Sequence, residues 1–520
     1  MVIRCFGLGF RRVSAPFVVA VFAIAATPTF AAPPSFTDHG GAELSVDGPV
    51  FAPINHEPNY VTERELFGYN PRFVPSAVSF GPDNEPYIWR GTYLITLNRD
   101  GRWIVLDTSK AIREKYDDIA DNGHVAAYDP HLAFDVAGDA YMVARLGPMR
   151  SDPNEFKYGM LHSTDRCRTW TFYETPNRPE RLERREAHNP LPGPPPLVEG
   201  RGRELNLVTF RKKGDGTLTN ARLTVVAKVI PPVVRKGRHW ITPAHSGCGN
   251  VTATIGSRTH VVWFSIQPLS FHREAAEKLP TEMQGPYVPY ALRFKDDGLE
   301  ALAPAYAATF DHETGQVTEP IIIGFTRRDR HNGPVISVDS KGYLHVIIGA
   351  HGDNFLYTKS LKPNSTTDGW TEPYMFGTPN PPRGGGSYTY TGTVMDGDDT
   401  LHLVSRFSGS GNHFRLTYNR KPIDGAWSSN FYLVNPGRVD YSVWYHQVNM
   451  DRRGRLFVNY WKYVARLRPG EIEAYRRKYP DDDYRKENGR EVGLRRHDPC
   501  MLISEDQGQT WRIAVTEDFR

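Results

Sequence analysis

His331 and His351 bracket the stretch HNGPVISVDSKGYLHVIIGAH, and the polar turn Asp339-Ser340-Lys341-Gly342 lies midway between them. Apolar residues flank that turn on both sides, which is the pattern of a β-hairpin. Antiparallel pairing brings the two ends together, so both imidazoles fall at one edge of one hairpin. The stretch SYTYTGTVMDGDDTLHLVSRFSGSG repeats the arrangement, with Tyr390 before its turn and Arg406 after it. By the same logic Tyr390 and Arg406 face each other at the corresponding edge. Singly, each has an ordinary structural explanation: a packed strand-end histidine, a tyrosine between sheets, an arginine paired with a carboxylate. Their joint placement on equivalent edges of neighbouring hairpins points to chemistry.

The chemistry that such a set suits is β-elimination from a uronate. The C5 proton is α to a carboxylate, so its removal builds negative charge on a group already charged. An arginine neutralises that carboxylate, best through its two-toothed planar fork. A neutral histidine takes the proton near its own pKa. A tyrosine or the second histidine protonates the departing glycosidic oxygen. Stabilising the enolate-like state is the largest electrostatic contribution.

The hairpins that position these residues belong to a repeat. An apolar residue, a Gly/Asp turn and a strand of β-branched and aromatic residues recur seven times, starting at 80, 134, 198, 254, 338, 395 and 450. Repeats of this order, with four strands each, predict an all-β, seven-bladed β-propeller with surface insertions. SEDQGQTW (504–511) fits the Asp-box pattern S-x-D-x-G-x-T-W, and STDRCRTW (163–170) fits it with Cys167 in the glycine position. There the aspartate ties the turn through backbone N–H groups and the tryptophan packs between blades. YTKSLKPNSTTDGW and YNRKPIDGAW are degraded copies. The Pro-rich, charged segment 176–200 reads as a surface excursion. The segment 468–497 reads as a short helical stretch followed by mixed charge, inserted between strands of the seventh blade.

With 12% aromatic residues, 46 Gly and 41 Pro in 520 residues, the composition favours short strands and turns. A net charge of +4 excludes a dedicated nucleic-acid binder and leaves a mild preference for acidic partners. Arg4, Arg11 and Arg12 precede the apolar run APFVVAVFAIAA and the small residues of TPTFAAPP. This reads as a signal peptide over 1–31 and a secreted or periplasmic protein without a membrane anchor after its removal. An N-terminal extension (32–59) and one propeller domain (60–520) follow. Three cysteines remain after Cys5 leaves, so at most one disulfide forms and one thiol stays free.

The hairpin of His331 and His351, Tyr390 and SRFSGSG, YHQVNMDRRGRLFVNYWK and HDPCMLISEDQGQTW together resemble the BNR-repeat family that includes ulvan lyases. The resemblance covers roughly residues 325–515. It implies a seven-bladed propeller that cleaves sulfated, uronate-containing polysaccharide by elimination. It implies catalytic roles for His331, His351, Tyr390 and Arg406, without deciding which histidine is the base. Asn332, His446 and Lys462 are the implied substrate-binding residues. Lys462 stands where family members often carry arginine, a point charge in place of a fork. No cofactor is implied for catalysis. A structural Ca²⁺ or Zn²⁺ is compatible with the family, with no ligands assigned. The expected partner is an acidic polysaccharide, met by a monomer. Two other readings stay open: a non-catalytic glycan- or protein-binding propeller, and a sialidase-like glycosidase, which the missing N-terminal RIP arginine motif disfavours.

Overall fold

Seven antiparallel sheets follow one another along the chain in the computed structural model, at residues 78–107, 119–174, 181–228, 241–327, 335–376, 387–434 and 443–513. These are the blades of a seven-bladed β-propeller, numbered 1 to 7 below. The structure describes Ser35–Phe36 and residues 78–519, less a set of stretches between strands that includes 229–240, 243–248, 266–301, 328–332, 349–354, 377–386, 409–413, 435–442 and 465–476. The expected signal peptide, and the expected start of the propeller near residue 60, lie outside the described residues. Helix among the described residues is confined almost entirely to Thr108–Arg113 and a 3₁₀ turn at Thr516–Phe519.

A blade has two faces to cover, and its neighbours cover them. Val78, Phe80 and Ile88 of blade 1 share one buried cluster with Leu456, Phe457 and Val458 of blade 7. The Phe80 and Phe457 ring centroids are 4.9 Å apart. Each fully buried side chain of this size contributes roughly 1.5–3 kcal/mol. Tyr87 and Phe134 join blades 1 and 2 in the same way, at 5.0 Å.

Four of the seven recurring turns join the first and second strands of their sheets, and those of blades 2 and 4 join a short strand, Ala133–Phe134 or Thr252–Ile255, to the longer strand that it pairs with. The seventh, near 198, joins the second and third strands of blade 3, Leu197–Arg201 and Glu204–Thr209. This corrects the reading of 176–200 as a surface excursion. Leu182, Leu191, Leu197 and Val198 of that segment are buried. Parallel bridges Asp135↔Leu191 and Glu186↔Thr252 wedge it between blades 2 and 4. The first strand there is only three residues long, Arg181–Glu183, and a proline-rich connection follows it, while the leucines of both fill the core. The 468–497 insertion does lie between the second and third strands of blade 7, and carries a two-stranded ribbon, Lys486–Glu487 with Arg490–Glu491.

Buried side chains tie the turns. In blade 5, Asp339 Oδ1 accepts from the N–H groups of Lys341 (3.0 Å) and Tyr343 (2.8 Å). Its Oδ2 lies 3.1 Å from His345 Nε2, whose Nδ1 lies 2.8 Å from the Tyr357 hydroxyl. Blade 6 repeats the chain with Asp396, His402 and Tyr418, at 2.9 and 2.7 Å. Both Asp-boxes adopt the expected turn: Asp506 accepts from Thr510 N, and Asp165 from Thr169 N. Trp511 packs edge-on to Tyr418 of the preceding blade, centroids 5.2 Å apart.

The ring closes between blades 7 and 1. Apart from Ser35–Phe36, which runs parallel along its outermost strand, blade 7 is built from C-terminal strands alone. Polar contacts latch it to blade 1. Asn449 Nδ2 donates to Val78 O (2.5 Å), Arg452 N to Asn84 Oδ1 (2.7 Å) and Asn84 Nδ2 to Asp451 Oδ2 (3.1 Å).

Candidate active site

Blade 6 presents two of the expected residues on its first hairpin, Ser387–Met395 with Leu401–Ser408. Unbroken register from Met395↔Leu401 puts Tyr390 opposite Arg406, as the sequence suggests. The observed ladder differs: Thr391 pairs with Ser405 and Thr389 with Arg406, so Tyr390 is the extra residue of a β-bulge. Its φ of 57° is left-handed, an uncommon conformation for a bulky residue. Such conformations cost on the order of 1–3 kcal/mol and persist only where the surroundings enforce them.

What the bulge achieves is a contact. The Arg406 guanidinium carbon lies 4.5 Å from the centre of the Tyr390 ring. The Arg406 Nε–H donates to Thr389 Oγ1 at 2.9 Å. Bulge, hydroxyl and ring together fix the plane of the cation. Arg406 is 2% exposed and Tyr390 7%. Cation–π attraction in so dry a setting is worth about 2 kcal/mol.

Blade 7 carries the same irregularity at the same place. Its first hairpin pairs Met450 with Leu456, then slips between Trp444 and His446, leaving Tyr445 as the extra residue. Both bulges fall five residues before the last paired residue of the first strand. His446 follows directly. It was expected to touch substrate, but it is completely buried. Its Nε2 donates to the carbonyl of Val404 in blade 6, at 2.9 Å. Burial pushes its pKa down to about 4, the charge of Arg406 pushes the same way, and the Val404 contact opposes both. The imidazole is therefore neutral at ordinary pH. The substrate-binding role of His446 came from the family resemblance, which carries residue types and not burial. It keeps the regular register of the strand, opposite Tyr460, and its side chain packs against blade 6.

His331, Asn332 and His351 lie outside the described residues. The described ladder of blade 5 ends at Val335↔Ile347, four residues short of both histidines, in the register that their pairing assumes. Lys462 pairs through its backbone with Val443 and Asp498, and its side chain is not described. Among the described residues no group of three or more His, Cys, Asp or Glu is placed to hold a metal ion, so no structural metal site is assigned there. The propeller axis holds a cavity of about 90 Å³ near the turn ends of the inner strands. Its one lining carboxylate, Glu186, is engaged by Thr254 N and Oγ1, each at 2.7 Å.

Sequence reasoning missed Thr389, the two bulges, and the buried chains of His345 and His402. For those chains a signal existed: Asp339 and Asp396 each stand six residues before their histidine.

Residues 301–518 match the model of a BNR repeat-containing family member. That span holds the outer strands of blade 4 and all of blades 5 to 7. No curated protein matches the chain. Among solved structures, an ulvan lyase from a new family of polysaccharide lyases is 17% identical, with a TM-score of 0.33 over 52% of this chain and 54% of its own. The chain thus spans about half the length of that enzyme. The polysaccharide lyase Uly1 is 13% identical, with a TM-score of 0.29 over 53% of this chain and 57% of its own. An α-L-arabinanase of Penicillium chrysogenum is 11% identical, with a TM-score of 0.33 over 64% of this chain and 89% of its own.

Proposed function

Starting from a BNR-repeat β-propeller of seven blades, we propose that the protein is a secreted or periplasmic polysaccharide lyase that cleaves uronate-containing, sulfated glycan by β-elimination. The observation that carries this reading is Arg406, a cation oriented by Thr389 and faced by the phenol ring of Tyr390 at a strained bulge. A tyrosine and an arginine in contact meet the two demands of uronate elimination, a transferable proton and a fixed positive charge.

In the proposed reaction a base removes the C5 proton, and the electron pair moves toward the carboxylate, which Arg406 neutralises. The C4–O4 bond then breaks as the C4=C5 double bond forms. The electron pair leaves with O4, which is protonated by Tyr390 or by a histidine. His331 or His351 is the base. At its present exposure Arg406 meets a carboxylate only by giving up part of its cover, so the reading requires local opening at the rim.

The deep burial of Arg406 and Tyr390 favours a second reading, a propeller that binds acidic glycan without cleaving it. Incubation with uronate polysaccharides, sulfated and unsulfated, separates the two. A lyase accumulates the ultraviolet absorbance of the new double bond, and a binder does not. His331→Ala and His351→Ala should each lower that rate by roughly 10²–10⁴. Losses below about tenfold in both would remove the histidines from the chemistry.

A further inference from the structure

We infer that His446 is a positioning residue for Arg406: a neutral imidazole that locks the bulged strand of blade 7 onto the strand of blade 6 that carries the arginine. The inference rests on the lyase reading for its kinetic consequence, and on geometry alone for its structural one.

Three observations converge. First, the His446 Nε2–H crosses the blade boundary to Val404 O, two residues before Arg406 on the same strand. Second, His446 sits directly after a bulge that matches the Tyr390 bulge in position, so both irregular strands meet around one arginine. Third, the side chain is wholly buried, so its hydrogen bond lacks competition from water.

The choice of residue follows from charge. A permanently charged group beside Arg406 would either pair with it or repel it. An apolar group would leave the Val404 carbonyl, already removed from solvent, without this donor. A neutral imidazole donates one N–H and adds no charge. Donation to a carbonyl fixes the proton on Nε2 and leaves Nδ1 bare, and Nδ1 has no partner among the described residues. His446 thus sets where Arg406 stands without touching substrate.

The test compares His446→Gln with His446→Leu. Glutamine keeps an N–H donor for Val404, while leucine fills similar space without one. On a free uronate polysaccharide His446→Leu should lower kcat/KM by up to about a hundredfold, the scale of a small misplacement of a reacting group. His446→Gln should stay within about tenfold of the parent. In an Arg406→Ala background His446→Leu should cost less than about threefold more, because the residue through which it acts is gone. Full additivity, or equal losses in the Gln and Leu variants, overturns the inference. A second measurement needs no substrate. The Nε–H resonance of Arg406 in a ¹⁵N spectrum should shift in His446→Leu and hold in His446→Gln. An unmoved resonance in a folded Leu variant also overturns it. A parent protein inert toward every uronate glycan sinks the lyase reading, and the arginine resonance then decides the positioning role by itself.

Discussion

Tyr390 separates fold from chemistry more cleanly than any other residue, through the series Tyr390→Phe and Tyr390→Ala. Phenylalanine keeps the ring over Arg406, so the 4.5 Å contact survives, as does the backbone conformation. Stability should change by less than about 1 kcal/mol, the net value of one hydrogen bond. Alanine keeps the left-handed φ but loses the ring. Burial of an aromatic of this size contributes roughly 1.5–3 kcal/mol, and the cation–π contact adds about 2 kcal/mol when desolvated. The Ala variant should therefore lose roughly 3–5 kcal/mol, read as a lower urea midpoint at unchanged slope. Activity should divide differently. The Phe variant lacks the phenolic proton and should lose roughly 10²–10⁴ in elimination rate despite its near-parental midpoint. A Phe variant that cleaves at the parental rate would refute the proton-transfer role. An Ala variant as stable as the parent would refute the account of why the bulge is held.

Arg406→Lys should lower turnover strongly, and Arg406→Ala more, because lysine keeps charge but loses the planar fork. On a methyl-esterified substrate the Ala variant should lose much less, and equal losses on acid and ester would assign Arg406 to folding. Gly508→Ala should destabilise by roughly 2–4 kcal/mol in urea: a Cβ there would stand 1.8 Å from the Tyr418 hydroxyl at a φ of +80°, adding left-handed strain to a broken hydrogen bond. Cys167→Gly at the same Asp-box position should be within about 1 kcal/mol of neutral, since strain is relieved as buried volume is lost. Stability should also fall with acid in two steps. The folded pKa values of His446 (about 4) and His345 (lowered, chiefly by burial) lie beneath the ordinary histidine value, so the unfolded chain takes up protons first below about pH 6.5. The His446 share amounts to about 3 kcal/mol between pH 6.5 and 4, and His446→Gln should flatten it. Asp339 and Asp396 are depressed too, burial being outweighed by hydrogen bonds from their histidines and backbone N–H groups, so a further loss follows below about pH 4. Denaturation midpoints measured across that range check both steps.

The blade count was legible because each repeat exposes its turn: aspartate or glycine in a left-handed or Asx conformation cannot be disguised, and the strands beside it alternate. Blade 3 was misread for the converse reason. Its first strand is only three residues long, Arg181–Glu183, so proline and charge around it hid Leu182 and, in the connection that follows, Leu191, both buried. In the candidate site the residue types were legible and the register was not. One inserted residue moves every partner beyond it by one, and nothing in SYTYTGTV marks Tyr390 as the residue to be extruded. A sequence shows which side chains are able to do chemistry; a bulge decides which of them meet.

The latch between blades 7 and 1 has a kinetic consequence. Asn84 and Arg452 meet across 368 positions of chain, and Val78 and Asn449 across 371. Blade 1 cannot cover its outer face until roughly the last seventh of the polypeptide, from Val443 on, exists and has itself formed strands. Loop closure over such a span is slow, and the waiting apolar face of Val78, Phe80 and Ile88 is a site for mispairing in the meantime. Truncation of the last blade should therefore yield an aggregating product rather than a six-bladed one. Weakening of the polar latch, as in Arg452→Ala, which removes the donations of Nε to Gly81 O (3.2 Å) and Nη2 to Phe80 O (3.0 Å), should act mainly on the rate of ring opening, because contacts made last in assembly are the first released.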